Sequence, residues 1–131
     1  FIEREGVAAF VDRWERLSLW ESQQSLPDHI RRGLHLQRLS NRPGGLAASL
    51  RGAGAGMSLP VGNLLATVSV PALIVAGGLD AKYVAHAHEL AGALPNAQLA
   101  VIPAAGHAAH LERPAAFAGD VMEFLAAHTA N

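Results

Sequence analysis

The chain has 131 residues, of which half are apolar and 16% charged, with a net charge of −1 and no cysteine. This composition excludes a disordered segment, a disulfide scaffold and a thiolate metal site, and predicts about one domain's worth of globular chain. One lysine, seven aromatic residues and a pI near 6.7 exclude the basic, stacking surface that nucleic acid requires.

The first half reads as helices separated by breakers. Val7, Phe10, Val11, Trp14 and Leu17 recur at three- and four-residue steps, which predicts a helix over residues 3–20. Ser25-Leu26-Pro27-Asp28 supplies a capping residue with Pro in the first turn, and Ile30 and Leu34 carry a second helix to Asn41 and Pro43. A third helix is predicted over residues 44–51, ended by Gly52, Gly54 and Gly56. No strand is predicted before residue 70. The run Val70-Pro71-Ala72-Leu73-Ile74-Val75-Ala76, bounded by Gly77-Gly78, reads as a parallel strand buried on both faces. An Ala-rich helix follows over residues 83–94, then a strand over 99–103, a loop over 104–110, and a terminal helix over 114–127 with Phe117, Val121, Phe124 and Leu125 inward. Two strands joined by a helix pair in parallel with a right-handed crossover, so residues 61–131 form the edge of an α/β sheet. Such an edge needs further strands, from residues before Phe1 or from a second copy. With no initiator Met, the chain reads as a piece of a longer protein.

Charge is unevenly spread. Residues 1–60 hold eight Arg against six acids, and residues 61–131 hold Lys82 and Arg113 against five acids. Between His29 and Leu59 stand Arg31, Arg32, Arg38, Arg42 and Arg51 with no carboxylate, a stretch that either receives a small anionic ligand or forms a solvated helix face. No apolar run reaches the ~18 residues of a membrane span, and the opening residues lack a signal-peptide layout, so no membrane partner is expected. The lack of cysteine fits a reducing, cytoplasmic setting.

Polar side chains in parallel α/β sheets converge beyond the carboxyl ends of the strands, and here those loops carry Asp80 and His107. If the strands are neighbours, ~4.8 Å apart, carboxylate and imidazole come within hydrogen-bond reach. That contact fixes the ring tautomer and stabilises the imidazolium form, as in the acid and base portion of a catalytic triad. The alternative is two solvent-exposed loop residues. Metal sites are not expected. His86 and His88 lie two apart, about 200° around a helix, and His107, His110 and Glu112 lack the His-Glu-x-x-His order of a zinc hydrolase.

A strand followed by Gly-Gly-Leu-Asp80, then a strand followed by Pro-Ala-Ala-Gly-His107-Ala-Ala-His-Leu-Glu-Arg-Pro114, resembles the last two strand ends of the α/β-hydrolase family. There Gly106 permits the tight backbone and Glu112-Arg113-Pro114 starts the terminal helix. Within that family the chain is similar to the carboxy-terminal half of the 2-succinyl-6-hydroxy-2,4-cyclohexadiene-1-carboxylate synthases of menaquinone biosynthesis. The stretches that carry this likeness are Phe10-Val11-Asp12-Arg13-Trp14, Arg38-Leu39-Ser40-Asn41, Gly45-Leu46-Ala47-Ala48-Ser49-Leu50-Arg51-Gly52, Asp80-Ala81-Lys82-Tyr83 and Ala105-Gly106-His107-Ala108-Ala109-His110.

The resemblance implies an α/β fold, with residues 1–60 a helical cap and residues 61–131 the carboxy-terminal βαβα part of the hydrolase core. It implies that Asp80 and His107 are triad members, that Trp14 and Arg38 line the substrate pocket, and that Lys82 lies beside the triad acid. The reaction implied is elimination of pyruvate from an anionic cyclohexene polycarboxylate, with no cofactor and no metal. On pattern alone Trp14 reads as core and Lys82 as a solvated charge at a helix start, where the macrodipole does not favour it. The family's Gly-x-Ser-x-Gly elbow is absent; the nearest string is Gly56-Met57-Ser58-Leu59-Pro60. The nucleophile is therefore expected from residues before Phe1, and the chain by itself is expected to be catalytically incomplete. A generic α/β-hydrolase esterase fragment and a noncatalytic, self-associating remnant are the other readings.

Overall fold

The computed structural model describes residues 1–54 and 62–128. The chain forms two compact units, Phe1–Pro60 and Val61–Asn131.

The described part of the first unit is helical: α1 (Ile2–Glu15), a 3-10 helix (Ser18–Ser25), α2 (Asp28–Leu39) and α3 (Pro43–Ala53). Ile2, Val7 and Val11 of α1 bury against Ala47 of α3, with Phe10, Leu39 and Leu46 packed around them. Gly6 interrupts α1 at φ 85°, ψ 170°, a conformation open to glycine because it has no Cβ. The helix predicted over 3–20 stops at Glu15, and Leu17 is extended (φ −67°, ψ 140°). The aromatic side chains give the reason. Trp14 lies between Phe10 at 5.6 Å and Trp20 at 5.5 Å, centroid to centroid. Six more helical residues would carry Trp20 about 9 Å along the axis and about 240° around it, so the chain must turn for the indoles to meet. The predicted cap at Ser25 also differs: Pro27 occupies the N-cap position of α2, and the Ser25 hydroxyl donates to the Ser22 carbonyl at 2.7 Å. Helix α3 includes Gly52, expected to break it, and ends at Ala53.

In the second unit a 3-10 helix (Gly62–Thr67) precedes β1 (Ala72–Gly77), α4 (Ala81–Ala93), β2 (Ala97–Ile102), α5 (Ala109–Glu112) and α6 (Pro114–His128). Strands β1 and β2 pair in parallel, from Ala72 opposite Ala97 to Gly77 opposite Ile102. The register starts where the Ala72 N–H donates to the Asn96 carbonyl at 2.9 Å, which draws β2 two residues earlier than predicted. Helix α4 likewise begins at Ala81 rather than Tyr83, because Asp80 caps it. The core is small: Ile102, Ala105 and Ala109, with Val75 and Phe117 against them.

Burial in β1 departs from expectation. Only Ala76 and Gly77 are buried, because among the described residues the sheet has two strands and covers the apolar run only at its carboxyl end. In α6, Phe117, Val121 and Phe124 are half-buried as an inward face, whereas Leu125 is 43% exposed. Among the described residues no helix is long and apolar enough to cross a membrane.

Candidate active site

The carboxyl ends of β1 and β2 are joined by backbone. The Gly78 N–H donates to the Ile102 carbonyl at 2.9 Å and the Leu79 N–H to the Ala105 carbonyl at 2.8 Å. These bonds continue the sheet past the strands and bring the two loops edge to edge. Gly77 makes that approach possible, since a Cβ there would lie 2.0 Å from the Gly106 carbonyl oxygen and 2.5 Å from that of Ala105. Ala104 absorbs the turn with φ 53°, a left-handed conformation uncommon outside glycine.

This scaffold brings Asp80 and His107 together, with Asp80 Oδ2 2.8 Å from His107 Nδ1. A carboxylate oxygen accepts, so Nδ1 carries the proton and the ring's basic lone pair is on Nε2. The other carboxylate oxygen, Oδ1, accepts the Tyr83 N–H at 3.3 Å and caps α4. One side chain thus starts a helix and orients the imidazole. The Tyr83 ring meets the His107 ring edge-on at 4.5 Å between centroids. A cavity of about 220 Å³ opens beside the pair, lined by Gly77, Asp80, Tyr83, His107, His110 and Phe117 among others. Lys82 is exposed, its ammonium 5.8 Å from the centre of the Tyr83 ring.

Glu112 is the site residue that sequence reasoning missed, having been read as part of a helix start and set aside, with His107 and His110, as a zinc ligand. It ends α5, is 6% exposed, and its carboxylate accepts the Gly106 N–H at 2.7 Å and the Ala108 N–H at 3.3 Å. The two residues that bear these N–H groups flank His107. No sequence signal marks this role of Glu112, because its partners are backbone N–H groups.

In the first unit Trp14 and Arg38 line one cavity of about 180 Å³ together with Phe10, Val11, Asn41, Leu46 and Leu50. Arg38 also borders a larger cavity of about 520 Å³ with Glu15, Gln23, Arg31, Arg32 and His35. Three of the five arginines in the stretch that lacks carboxylates pair with carboxylates outside it. Arg38 Nη1 donates to Glu15 Oε1 at 2.8 Å, Arg51 makes a two-pronged pair with Glu3 at 2.8 and 2.9 Å, and Arg31 pairs with Asp28. Arg38 Nη2 donates to Gln23 Oε1 at 2.9 Å, and its guanidinium lies 5.6 Å over the Trp20 ring. Burial alone would raise the Glu15 carboxyl; hydrogen bonds from Arg38 and His35 outweigh it and hold the group below the ordinary glutamate range. Arg38 therefore meets any ligand with donors left over from two protein partners. The string from Gly56 to Pro60, the nearest in sequence to a nucleophile elbow, lies outside the described residues.

The loops at the carboxyl ends of the parallel strands thus pair Asp80 with His107, and residues 3–121 match the alpha/beta hydrolase family, to which the chain belongs. Within that family it is 39% identical over 125 residues to a Bacillus subtilis protein provisionally named 2-succinyl-6-hydroxy-2,4-cyclohexadiene-1-carboxylate synthase, a match covering 95% of this chain and 46% of that one. The solved structure of MenH from S. aureus is similar with a TM-score of 0.94 at 36% identity, over 96% of this chain and 47% of that one. Est816, described as an N-acyl homoserine lactone degrading enzyme, is similar at a TM-score of 0.66 and 26% identity, over 94% and 49% of the two chains. The chain spans about half the length of the relatives it matches.

Proposed function

We propose that this chain is the carboxy-terminal half of a 2-succinyl-6-hydroxy-2,4-cyclohexadiene-1-carboxylate synthase-like enzyme of menaquinone biosynthesis, acting with a segment that supplies the nucleophile-elbow serine. The observation that carries the proposal is the 2.8 Å contact of Asp80 with His107 at the ends of paired parallel strands; the identity to the synthase supports the choice of reaction. In this reading Asp80 orients His107, and Nε2 of His107 accepts a proton from the serine hydroxyl. The base so generated removes a ring C–H proton of the substrate. The electron pair of that bond forms the new ring double bond, the ether C–O bond breaks, and enolpyruvate leaves and takes up a proton at carbon to become pyruvate.

The substrate carries several carboxylates, which a planar guanidinium binds through paired hydrogen bonds. Arg38 serves that role, with Trp14 as an apolar wall of the same cavity and Lys82 as a further cation near the acid. Residues 1–60 act as the cap and residues 61–131 as part of the core. The esterase reading is favoured by the likeness to Est816 alone.

The test is pyruvate release by the full-length protein, set against hydrolysis of a neutral ester. Arg38→Ala should lower kcat/KM for the polycarboxylate roughly ten- to a hundredfold, with Arg38→Lys recovering part of it and ester hydrolysis changing little. Equal slowing of both substrates would reduce Arg38 to a support of the cap, and ester hydrolysis without pyruvate release would establish the esterase reading.

A further inference from the structure

The acid–base chemistry above leaves Glu112 unused, yet its environment is unusual. Its carboxylate is buried and among the described residues has no cationic partner; the neighbouring Arg113 guanidinium donates to the Glu112 backbone carbonyl, at 3.0 Å. A buried carboxylate without a cation is costly unless hydrogen bonds satisfy it. Here each oxygen takes one backbone N–H, Oε2 from Gly106 and Oε1 from Ala108.

We propose that Glu112 is the positioning residue of His107: by gripping the N–H groups of the residues on either side, it fixes where the imidazole stands, while Asp80 fixes how it is turned. The inference rests on the reading of His107 as proton carrier. The backbone supplies the argument. Up to Ala105 the loop is tied to the Asp80 loop through the Leu79 N–H. From Ala108 onward it belongs to α5, whose Leu111 and Glu112 N–H groups donate to the Ala108 carbonyl at 2.8 and 3.0 Å. Between those anchors stand Gly106 and His107, and Glu112 bridges them. The Glu112–Ala108 exchange is reciprocal: the Glu112 N–H donates to the Ala108 carbonyl while the Ala108 N–H donates to the Glu112 carboxylate. The carboxylate thus does for the N-cap N–H what the N3 acid of a capping box does, but from one position further along a one-turn helix whose N-cap, an alanine, has no side chain to contribute.

The chemistry also explains why a carboxylate stands there rather than an amide. Two donors on two oxygens need an acceptor at both positions, and glutamine would turn its NH2 toward one N–H. The shorter bond, to Gly106, would keep the oxygen, and the Ala108 N–H would lose its partner.

The experiment uses the full-length protein with Glu112→Ala and Glu112→Gln, well below each variant's melting temperature. Two readouts are taken: turnover, and the low-field proton resonance of His107 Nδ1–H on Asp80, assigned by its loss in Asp80→Asn. For Glu112→Ala we expect kcat to fall roughly 10²-fold, as for an ångström-scale misplacement of a reacting group, with KM within about twofold and the resonance shifted or lost in folded protein. Glu112→Gln should fall between it and the wild type on both readouts. A merely structural role would lower the melting temperature and leave kcat of the folded molecules and the resonance unchanged; that result would overturn the proposal. If Glu112→Ala does not fold, Glu112→Gln decides on the same terms. Full turnover in His107→Ala would defeat the reading of His107, while the resonance in the Glu112 variants would still report whether the carboxylate holds the ring.

Discussion

The side chains of Arg38 and His107 are almost equally exposed, 23% and 26%, yet they are held by different means. Arg38 is held by other side chains: Glu15, Gln23 and the face of Trp20. The His107 ring is held by Asp80, and its place in the chain is set through backbone, by a loop tied to its neighbour at Leu79 and by Glu112 at the N–H groups of Gly106 and Ala108. A position set by charged side chains responds to pH and salt, because screening and protonation weaken the pairs that define it. A position set by backbone contact responds to volume, because no rotamer change relieves a clash with a carbonyl. In the proposed reaction this division is useful, since a proton carrier needs a fixed place and a substrate-binding cation benefits from some adjustment.

The sharpest way to break the comparison is to add one carbon to the second unit. Gly77→Ala places a Cβ 2.0 Å from the Gly106 carbonyl oxygen, and backbone must move. We expect a loss of about 3 kcal/mol in urea unfolding, independent of salt. A loss well under 1 kcal/mol would mean that the two loops do not approach as described. In the first unit, Arg38→Ala should cost about 1 to 2 kcal/mol, since it leaves the half-buried Glu15 with His35 alone, and the cost should shrink as salt is raised.

Acid should separate the units next. The folded Glu15 carboxyl is depressed, so in the acid range the unfolded chain binds more protons. Its contribution is therefore complete above the ordinary glutamate range and is lost as pH falls through the lower, folded value. Urea midpoints taken from about pH 6 to about pH 3 should fall less steeply in Glu15→Gln than in the parent. The smallest effect is expected at Arg51, whose pair with Glu3 has side chains 64% and 55% exposed. Although that hydrogen-bonded pair lowers the Glu3 carboxyl, solvent screens it, and Arg51→Gln should leave the urea midpoint unchanged at physiological salt.

Much of the second unit was legible because its signals are local. A continuous apolar run bounded by Pro71 and Gly77, an Ala-rich helix and a second run ending at Ile102 define strand, helix and strand without reference to anything distant. Asp80 and His107 follow, because strand ends are where polar side chains collect. The starts of β2 and α4 were each misread by two residues, since both depend on hydrogen bonds: Ala72 N–H to the Asn96 carbonyl, and Tyr83 N–H to Asp80. The first unit was harder. The helical period ran on through Leu17, and only the meeting of Trp14 with Trp20 shows why the chain turns. Counting charge along residues 29–59 suggested unpaired arginines, whereas Arg38 and Arg51 find Glu15 and Glu3, 23 and 48 residues earlier. Glu112 was hidden for another reason: its partners are backbone N–H groups, which leave no mark on the sequence.

The central claim is that Asp80 and His107 form the acid–base pair of an eliminating enzyme. It is tested most directly by pyruvate release from the full-length protein carrying His107→Ala or Asp80→Asn, each first shown to fold by its urea midpoint. Removal of the proton carrier, or loss of the carboxylate that sets its tautomer, should lower kcat by roughly 10³- to 10⁴-fold with little change in KM. Pyruvate release at the parental rate in either folded variant would contradict the account.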